Sequence, residues 1–503
     1  MNLAEWVWLV PVLPLLAALL NAARVLTGRA QGDAAEPLTA RLSSLAAFGA
    51  FALLLAIDLQ AVWRGWPGHR VMAVWFGTAE WQGTFSFLLD AISLPIATVT
   101  ALIGWLVARF SCNYLHREAG FHRFFIVLAF FLAGIQLVFL AGNSLLAFVG
   151  WEMCGVASFL LIGYQWQRPI ATGNALFAFV TNRVGDAGLL FALGLAAYWV
   201  GGFEWPLLTG EYPLTVIQAR ILALGFVAAA LVKSGQLPFT PWLARALEGP
   251  TPSSAIFYGA IMVHAGIYLM LRLEPMLALA PDICIGLIVI GGLTAVYAWL
   301  CGLVQTDVKS ALIFATVFQT ALMVIEIGLG WTLLATLHLC LHAAWRIWQF
   351  LLAPSWLTVT RSRPAPPPAW LARQQWLYTA ALQRFWLDKL SVILVARPTE
   401  SIAHDLRTLE ERFIDPAIGQ PGQGPAVSPE LPLICADGVA GRSLAGIAEF
   451  LQRLENRLLL QGRGGAAEQL LQRLGAYLRT VENLLEQPRY LMMAVMATFV
   501  VIL

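Results

Sequence analysis

The chain has 503 residues, of which 59% are hydrophobic and only 12% charged, with a formal net charge of +2. That much apolar sequence, at a mean hydropathy of +0.72, belongs to a polytopic membrane protein and excludes a soluble globule. The small net charge, with no basic tract interleaved with aromatics, excludes nucleic acid as a partner.

In chain order, apolar segments of membrane-spanning length lie near 4–22, 42–63, 88–112, 123–141, 144–164, 172–199, 214–237, 250–272, 282–303, 308–328 and 331–353. They predict an all-α polytopic bundle of about 11–12 transmembrane helices. The first run, from Trp6 to Leu20, follows no basic segment and is too long for a signal-peptide core, so it reads as a retained span. Between the second and third spans, VMAVWFGTAEWQGTFSFLLD alternates apolar and polar residues around Gly77 and Gly83, the pattern of a short hairpin at the membrane surface. With the N-terminus outside, the cytoplasmic loops carry Arg24, Arg29, Arg41, Arg109, Arg117, Arg123, Arg168, Arg245 and Lys309. The opposite loops carry Arg64, Arg70, Arg220 and Arg272, so the positive-inside rule favours an N-terminus outside and a cytoplasmic region after the eleventh span.

After the eleventh span the composition changes at RSRPAPPPAW, a stiff proline-rich stretch. The chain therefore divides into a bundle over 1–356, a linker over 357–375, a cytoplasmic surface region over 376–488 and a terminal hydrophobic segment over 489–503. In the surface region Leu444, Ile447, Leu451, Leu454 and Leu458 recur at helical spacing, as do Leu470, Leu474, Leu478, Val481 and Leu485. Both sets predict amphipathic helices lying on something. The last run, Tyr490 to Leu503, is short for a full span and reads as an anchor or a twelfth helix cut short. Six cysteines lie at 112, 154, 284, 301, 340 and 435 without CxxC or CxxH spacing, so they are core residues and no metal site is expected in this chain.

The residues that carry chemistry are the ionisable ones at membrane depth, where a charge costs several kcal/mol unless it faces a bundle interior or hydrated cavity. Only three of the 31 basic residues are lysines, Lys233, Lys309 and Lys389. An arginine stays protonated, whereas a buried lysine can release and regain a proton, so Lys233 in LVKSGQLPFTPW points to titration. Pro238 and Pro241 interrupt the seventh helix just beyond it, and broken helices at this depth line cavities. Glu152 lies inside the fifth span. Arg183 and Asp186, three apart, share a helical face and read either as a structural ion pair or as a tuning element. His264 is either a satisfied core residue or part of the path. His338, His342 and Arg346 fall at i, i+4 and i+8 on the eleventh helix, with no HExxH and no visible third metal ligand. Lys309, beside Asp307, fits a positive-inside anchor as well as a relay.

WEMCGVASFLLIGY, VTNRVGDAGLLFAL, LVKSGQLPFTPWLARALEGPTPSSA and LVQTDVKSALIFAT resemble the antiporter-like membrane subunits of respiratory complex I and of multisubunit cation/proton antiporters, from about Asp90 to Leu352. The resemblance implies that Glu152 and Lys233 form the proton-handling pair with Arg183 and Asp186 nearby, and that Lys309, His338 and His342 continue the relay. Departures are visible. Tyr258 stands where much of the family has histidine, His264 lies six residues later, and Arg346 replaces a lysine with a group that does not readily release a proton. The family's core is an inverted repeat of five helices plus five, and here the second repeat stops after three, which implies an incomplete second inverted repeat. A short member of this kind is also similar to DabB, the membrane subunit of the DAB inorganic-carbon uptake complex. That likeness implies a cytoplasmic DabA-like, carbonic-anhydrase-related partner that holds zinc.

The resulting expectation is a non-enzymatic subunit that conducts H+ or Na+ across the lipid bilayer and energises inorganic carbon accumulation by its partner. The alternative is a pumping subunit of a complex I-like, hydrogenase or cation/proton antiporter assembly. A third reading is a purely structural anchor.

Overall fold

In hydrocarbon each backbone N–H and C=O must be satisfied within the protein, and the long apolar runs do this as helices. The computed structural model describes residues 2–77, 82–353 and 366–409. The amphipathic stripes at 444–458 and 470–485 and the terminal segment 489–503 lie outside the described residues. The chain forms two compact units, 1–396 and 397–503. Among the described residues of the second unit there is one helix, Arg397–Leu409.

The first unit runs through α1 (Leu9–Leu26), α2 (Glu36–Arg64), a β-hairpin of β1 (Gly68–Gly77) and β2 (Gln82–Leu89), then α3 (Ser93–Tyr114), α4 (Phe121–Leu140), α5 (Ser144–Ile162), α6 (Pro169–Val200) and α7 (Val216–Lys233). A short α8 (Pro241–Arg245) leads to α9 (Thr251–Ser254), a π-helical turn over 255–260 and α10 (Met262–Arg272). There follow α11 (Glu274–Ala278), α12 (Pro281–Gly302), α13 (Val308–Gly328) and α14 (Thr332–Leu352). Ten helices among the described residues are long and apolar enough to cross a membrane, Thr251–Arg272 counting as one. α14 matches them in length but is less apolar, because His338, His342 and Arg346 lie along it. It packs against α13, α3 and the π-helical turn, so the eleven predicted segments all appear as helices of one bundle.

Small residues allow the close crossings. A Cβ on Gly188 of α6 would lie 2.8 Å from the Gly225 carbonyl oxygen of α7, so a larger residue would force these two helices apart. Local caps set the helix starts: Asn143 accepts from Leu146 N–H, Thr215 and Gln218 form a capping box on α7, and Asp307 accepts from Ser310 N–H.

The predicted hairpin is present, with Gly68 opposite Leu89 and Gly77 opposite Gln82 in antiparallel register. Its outer strand β1 is exposed, while β2 buries Thr84, Ser86, Phe87 and Leu89 against the bundle. One carboxylate holds it there. Glu204, between α6 and α7, accepts hydrogen bonds from His69 at 2.6 Å, from Ser86 at 2.7 Å and from Thr84. Asn143 donates to Thr84 O and Ser86 Oγ, both at 2.8 Å. Asp90, just after the hairpin, binds Arg272 at 2.5 and 3.2 Å.

On the opposite face, α15 (Ala369–Arg373), α16 (Gln375–Leu382) and α17 (Leu387–Ser391) return to the bundle after the proline-rich stretch. Leu371 and Ala381 bury against Leu300 and Val304 at the end of α12, Trp370 stacks on Trp299 with centroids 5.6 Å apart, and Asp388 accepts from Arg245 of α8 at 3.1 Å. Residues 369–396 are thus part of the bundle unit.

Burial raises the Glu204 pKa, but the bonds from His69, Thr84 and Ser86 outweigh it and leave the carboxyl below the usual carboxylate range. A lowered pKa in the folded state stabilises docking above the ordinary carboxylate pKa and loses that contribution as pH falls through the lowered value. The protection factors of the β2 amides, taken relative to the intrinsic rate at each pH, should therefore stay high through neutral pH and fall only in acid. Glu204→Gln should bring fast exchange to neutral pH, at a cost of about 1–3 kcal/mol.

Candidate functional site

The site begins where α7 stops. Residues 234–240 leave helical geometry at the level of the neighbouring spans, and α8 restarts with Pro241 at its first position, where a missing N–H is no loss. Pro238 lies within the break, as the sequence places it. Gly235 sits at φ +65°, and a Cβ there would lie 2.0 Å from Leu243 Cδ1, so the turn needs glycine on both counts. Leu237 N–H donates to Thr294 Oγ1 of α12 at 3.1 Å, and Gln236 Nε2 donates to Thr320 Oγ1 of α13 at 3.3 Å. Trp242 Nε1 donates to the Val232 carbonyl at 2.9 Å, and Thr240 Oγ1 to that of Gly235 at 2.9 Å.

Lys233, the last residue of α7, is 1% exposed, and its Nζ has no hydrogen-bond partner among the described residues. It rests 4.7 Å from the centroid of the Trp151 ring. Asp186, Cys154, Arg183 and Glu152 are the ionisable groups whose charges reach it. The carboxylates do not bind it directly. Glu152 pairs with Arg183, which also pairs with Asp186 at 2.8 Å, and Trp151 Nε1 donates to Asp186 Oδ1 at 2.5 Å. The i, i+3 pair expected from the sequence is formed, whereas the direct Glu152 to Lys233 contact is not.

A second cluster lies between α10 and α14. His264 Nε2 and His342 Nδ1 are 2.9 Å apart, and Arg346 Nε donates to His342 Nε2 at 3.4 Å. A guanidinium only donates, so His342 Nε2 accepts and its ring proton sits on Nδ1, directed at His264. The hydrogen-bond line thus runs Arg346 to His342 to His264. His338, one turn earlier, faces two oxygens instead: Glu326 Oε1 at 2.9 Å from Nδ1 and Gln319 Oε1 at 2.8 Å from Nε2. The two clusters meet through Gly266 of α10, where a Cβ would lie 2.3 Å from the Ala230 carbonyl of α7. Lys309 stands apart at the start of α13, donating to Thr251 Oγ1 at 2.6 Å, which also bonds Tyr114 at 2.9 Å. Nothing is described for the Tyr258 side chain.

Sequence reasoning passed over Trp151, Gln319, Glu326 and the clamps Thr294 and Thr320. Trp151 stood beside Glu152, but an aromatic next to a buried acid reads as packing. Glu326, an acid near the end of an apolar span, was a signal of the kind that singled out Glu152.

Two family models match the chain: "NADH:quinone oxidoreductase/Mrp antiporter, TM" over residues 141–363 and "NADH-Ubiquinone oxidoreductase (complex I), chain 5 N-terminus" over 75–125, together just over half of it. The chain belongs to this antiporter-like membrane family. NADH-quinone oxidoreductase subunit L of Mycobacterium tuberculosis is 34% identical over 351 residues, covering 69% of this chain and 55% of that protein. NADH-ubiquinone oxidoreductase chain 5 of Dugong dugon is 36% identical over 273 residues, 54% and 45% of the two chains. A solved structure of the Mrp complex from Dietzia sp. matches with a TM-score of 0.57 at 27% identity, over 68% of this chain and 37% of that one. The chain therefore spans about half the length of the curated relatives it matches. The fold is the all-helical, polytopic antiporter-like one that the sequence predicted. None of these relatives bears on inorganic carbon.

Because Gly266 sets the distance between the two clusters, Gly266→Ala should push α10 away from α7. The expected cost is about 1–3 kcal/mol, read as a lower melting temperature of the detergent-purified protein.

Proposed function

We propose that this chain is a proton-translocating membrane subunit of an assembly of the complex I or Mrp antiporter type. The observation that carries the reading is Lys233: a buried amine without a hydrogen-bond partner among the described residues, at the end of a helix that breaks at membrane depth. An amine held this way gives up one proton and takes another without first breaking a hydrogen bond. Glu152 and Lys233 begin the relay, Arg183 and Asp186 set the charge around them, and His264, His342 and His338 continue it along α10 and α14. Lys309 serves the entry on the face where α13 begins. Arg346 contributes a fixed charge and a donor, which orients His342 and ends the line. This chain performs no covalent chemistry in the scheme, and the reaction that consumes the gradient belongs to a partner.

The test is proton flux, followed with a pH-sensitive dye, into vesicles that contain the full chain with its native partners. Lys233→Met should insert and assemble normally yet lower flux by at least about tenfold, and Lys233→Arg should fail alike because a fixed charge cannot cycle. His338→Ala combined with His342→Ala should impair flux as strongly. Wild-type flux in either lysine variant would remove the amine from the path.

A finer reading assigns the driven process to inorganic carbon, in a bacterial inner membrane with the N-terminus periplasmic. What supports it is the change of composition after the eleventh predicted span, where a proline-rich stretch leads into sequence of balanced charge over 376–488. In that case zinc is held by a DabA-like, carbonic-anhydrase-related partner and not by this chain. Purifying the native complex decides between readings: a zinc protein that hydrates CO2 supports carbon uptake, and iron–sulfur or quinone components support the complex I type. Deleting 440–487 should release the partner into the soluble fraction. Continued co-purification after that deletion would place the docking surface elsewhere.

A further inference from the structure

The Lys233 amine and the Asp186 carboxylate are both buried, carry opposite charge and belong to one charge cluster, yet they do not meet. In a low-dielectric interior this needs a cause, since two such groups attract strongly and an unpaired ammonium is costly. The cause visible in the structure is Trp151. Its indole, 2% exposed, uses both of its polar features at once: the ring lies under Lys233 Nζ, 4.7 Å from the centroid, and the Nε1–H is given to Asp186 Oδ1 at 2.5 Å. Asp186 keeps its other oxygen on Arg183 at 2.8 Å, and Arg183 is shared with Glu152. The carboxylate therefore has a hydrogen-bond donor on one oxygen and a counter-charge beside the other without the lysine.

We infer that Trp151 is a positioning residue for Lys233: its indole stands between the amine and Asp186, satisfying the carboxylate at its edge and the ammonium on its face, and so prevents a contact ion pair that would immobilise the amine. A tryptophan suits the task because its ring quadrupole stabilises an ammonium without offering a lone pair, while its N–H is a donor only. No aliphatic residue supplies either contact. Phenylalanine supplies the face but leaves one Asp186 oxygen without its donor.

The inference rests on the proton-conducting reading for its functional consequence, but its geometric content is tested separately. The chain has only three lysines, so Lys309→Arg with Lys389→Arg leaves Lys233 as the sole source of a lysine 15Nζ signal. In membranes containing this full-length background, with 15N-lysine and 13C-aspartate labels, rotational-echo NMR reports whether Nζ lies within ion-pair range of an aspartate carboxyl carbon, about 4 Å. The background should show no such contact, and Trp151→Leu should create one that disappears again with Asp186→Asn. If Trp151→Leu creates no contact, the inference is overturned whatever the flux.

Flux is then measured on the chain with its native lysines. Trp151→Leu should lower it by about tenfold or more, and adding Asp186→Asn should recover most of that loss, because the competing carboxylate charge is gone. A tryptophan that only filled space would not be rescued by removing a charge beside it, so a loss of flux that Asp186→Asn leaves unchanged also overturns the inference. A new contact in Trp151→Leu combined with no proton flux in the wild-type chain would uphold the positioning role and overturn the conducting function.

Discussion

A backbone that leaves helical geometry inside hydrocarbon must find hydrogen-bond partners outside its own ladder, and the rest of this site depends on how residues 234–240 do so. Thr294 and Thr320 reach in from α12 and α13, while Trp242 and Thr240 fold back from the far side of the break. The break therefore cannot form until helices from both halves of the bundle are assembled around it. Once formed, it ends α7 at Lys233 and places the amine where no backbone carbonyl competes for it. The arrangement of charges follows: Arg183 is left to pair with both carboxylates, and the amine is left with an aromatic face.

The two polar clusters differ in chemical character. Around Lys233 stand two carboxylates that share one arginine, so a proton moved at any of these groups changes the field at the others. Along α10 and α14 the links are imidazoles whose tautomers are fixed from one end by Arg346, which gives the line a direction. The clusters come close because α10 carries glycine at its crossing with α7. A crossing that tight couples any shift of the Lys233 turn to the helix that bears His264.

Much of this was legible in the sequence, for reasons of geometry. Helix spans appear in hydropathy because the bilayer fixes their length, and the hairpin appeared in alternation around Gly77 and Gly83. The Arg183 and Asp186 pair and the stripe of His338, His342 and Arg346 follow from helical periodicity alone. What was hidden was choice of partner. Glu152 had two cations within plausible reach, and nothing in a linear string says that Arg183, 31 residues away, takes it in preference to Lys233. His338 and His342 look equivalent on one stripe, yet α13 presents Glu326 and Gln319 to the first, while the second meets Arg346 and His264. Trp151 was masked by its type, because a buried aromatic in an apolar span is the commonest thing there and its N–H counts only once an acceptor is beside it.

The Glu204 latch also constrains how the protein is made. The hairpin strands emerge long before the carboxylate that holds them, since Thr84 and Glu204 are separated by 120 residues and four membrane helices. At roughly 5–20 residues per second, synthesis leaves β2 waiting on the order of 6–24 s with Thr84, Ser86 and the backbone edge unmatched at the bilayer surface. During that interval the exposed strand β1 and its partner form a small unanchored sheet beside a translating chain. Glu204 arrives only after α6 has been made, so the hairpin, one of the first elements synthesised, is among the later ones to be locked in place.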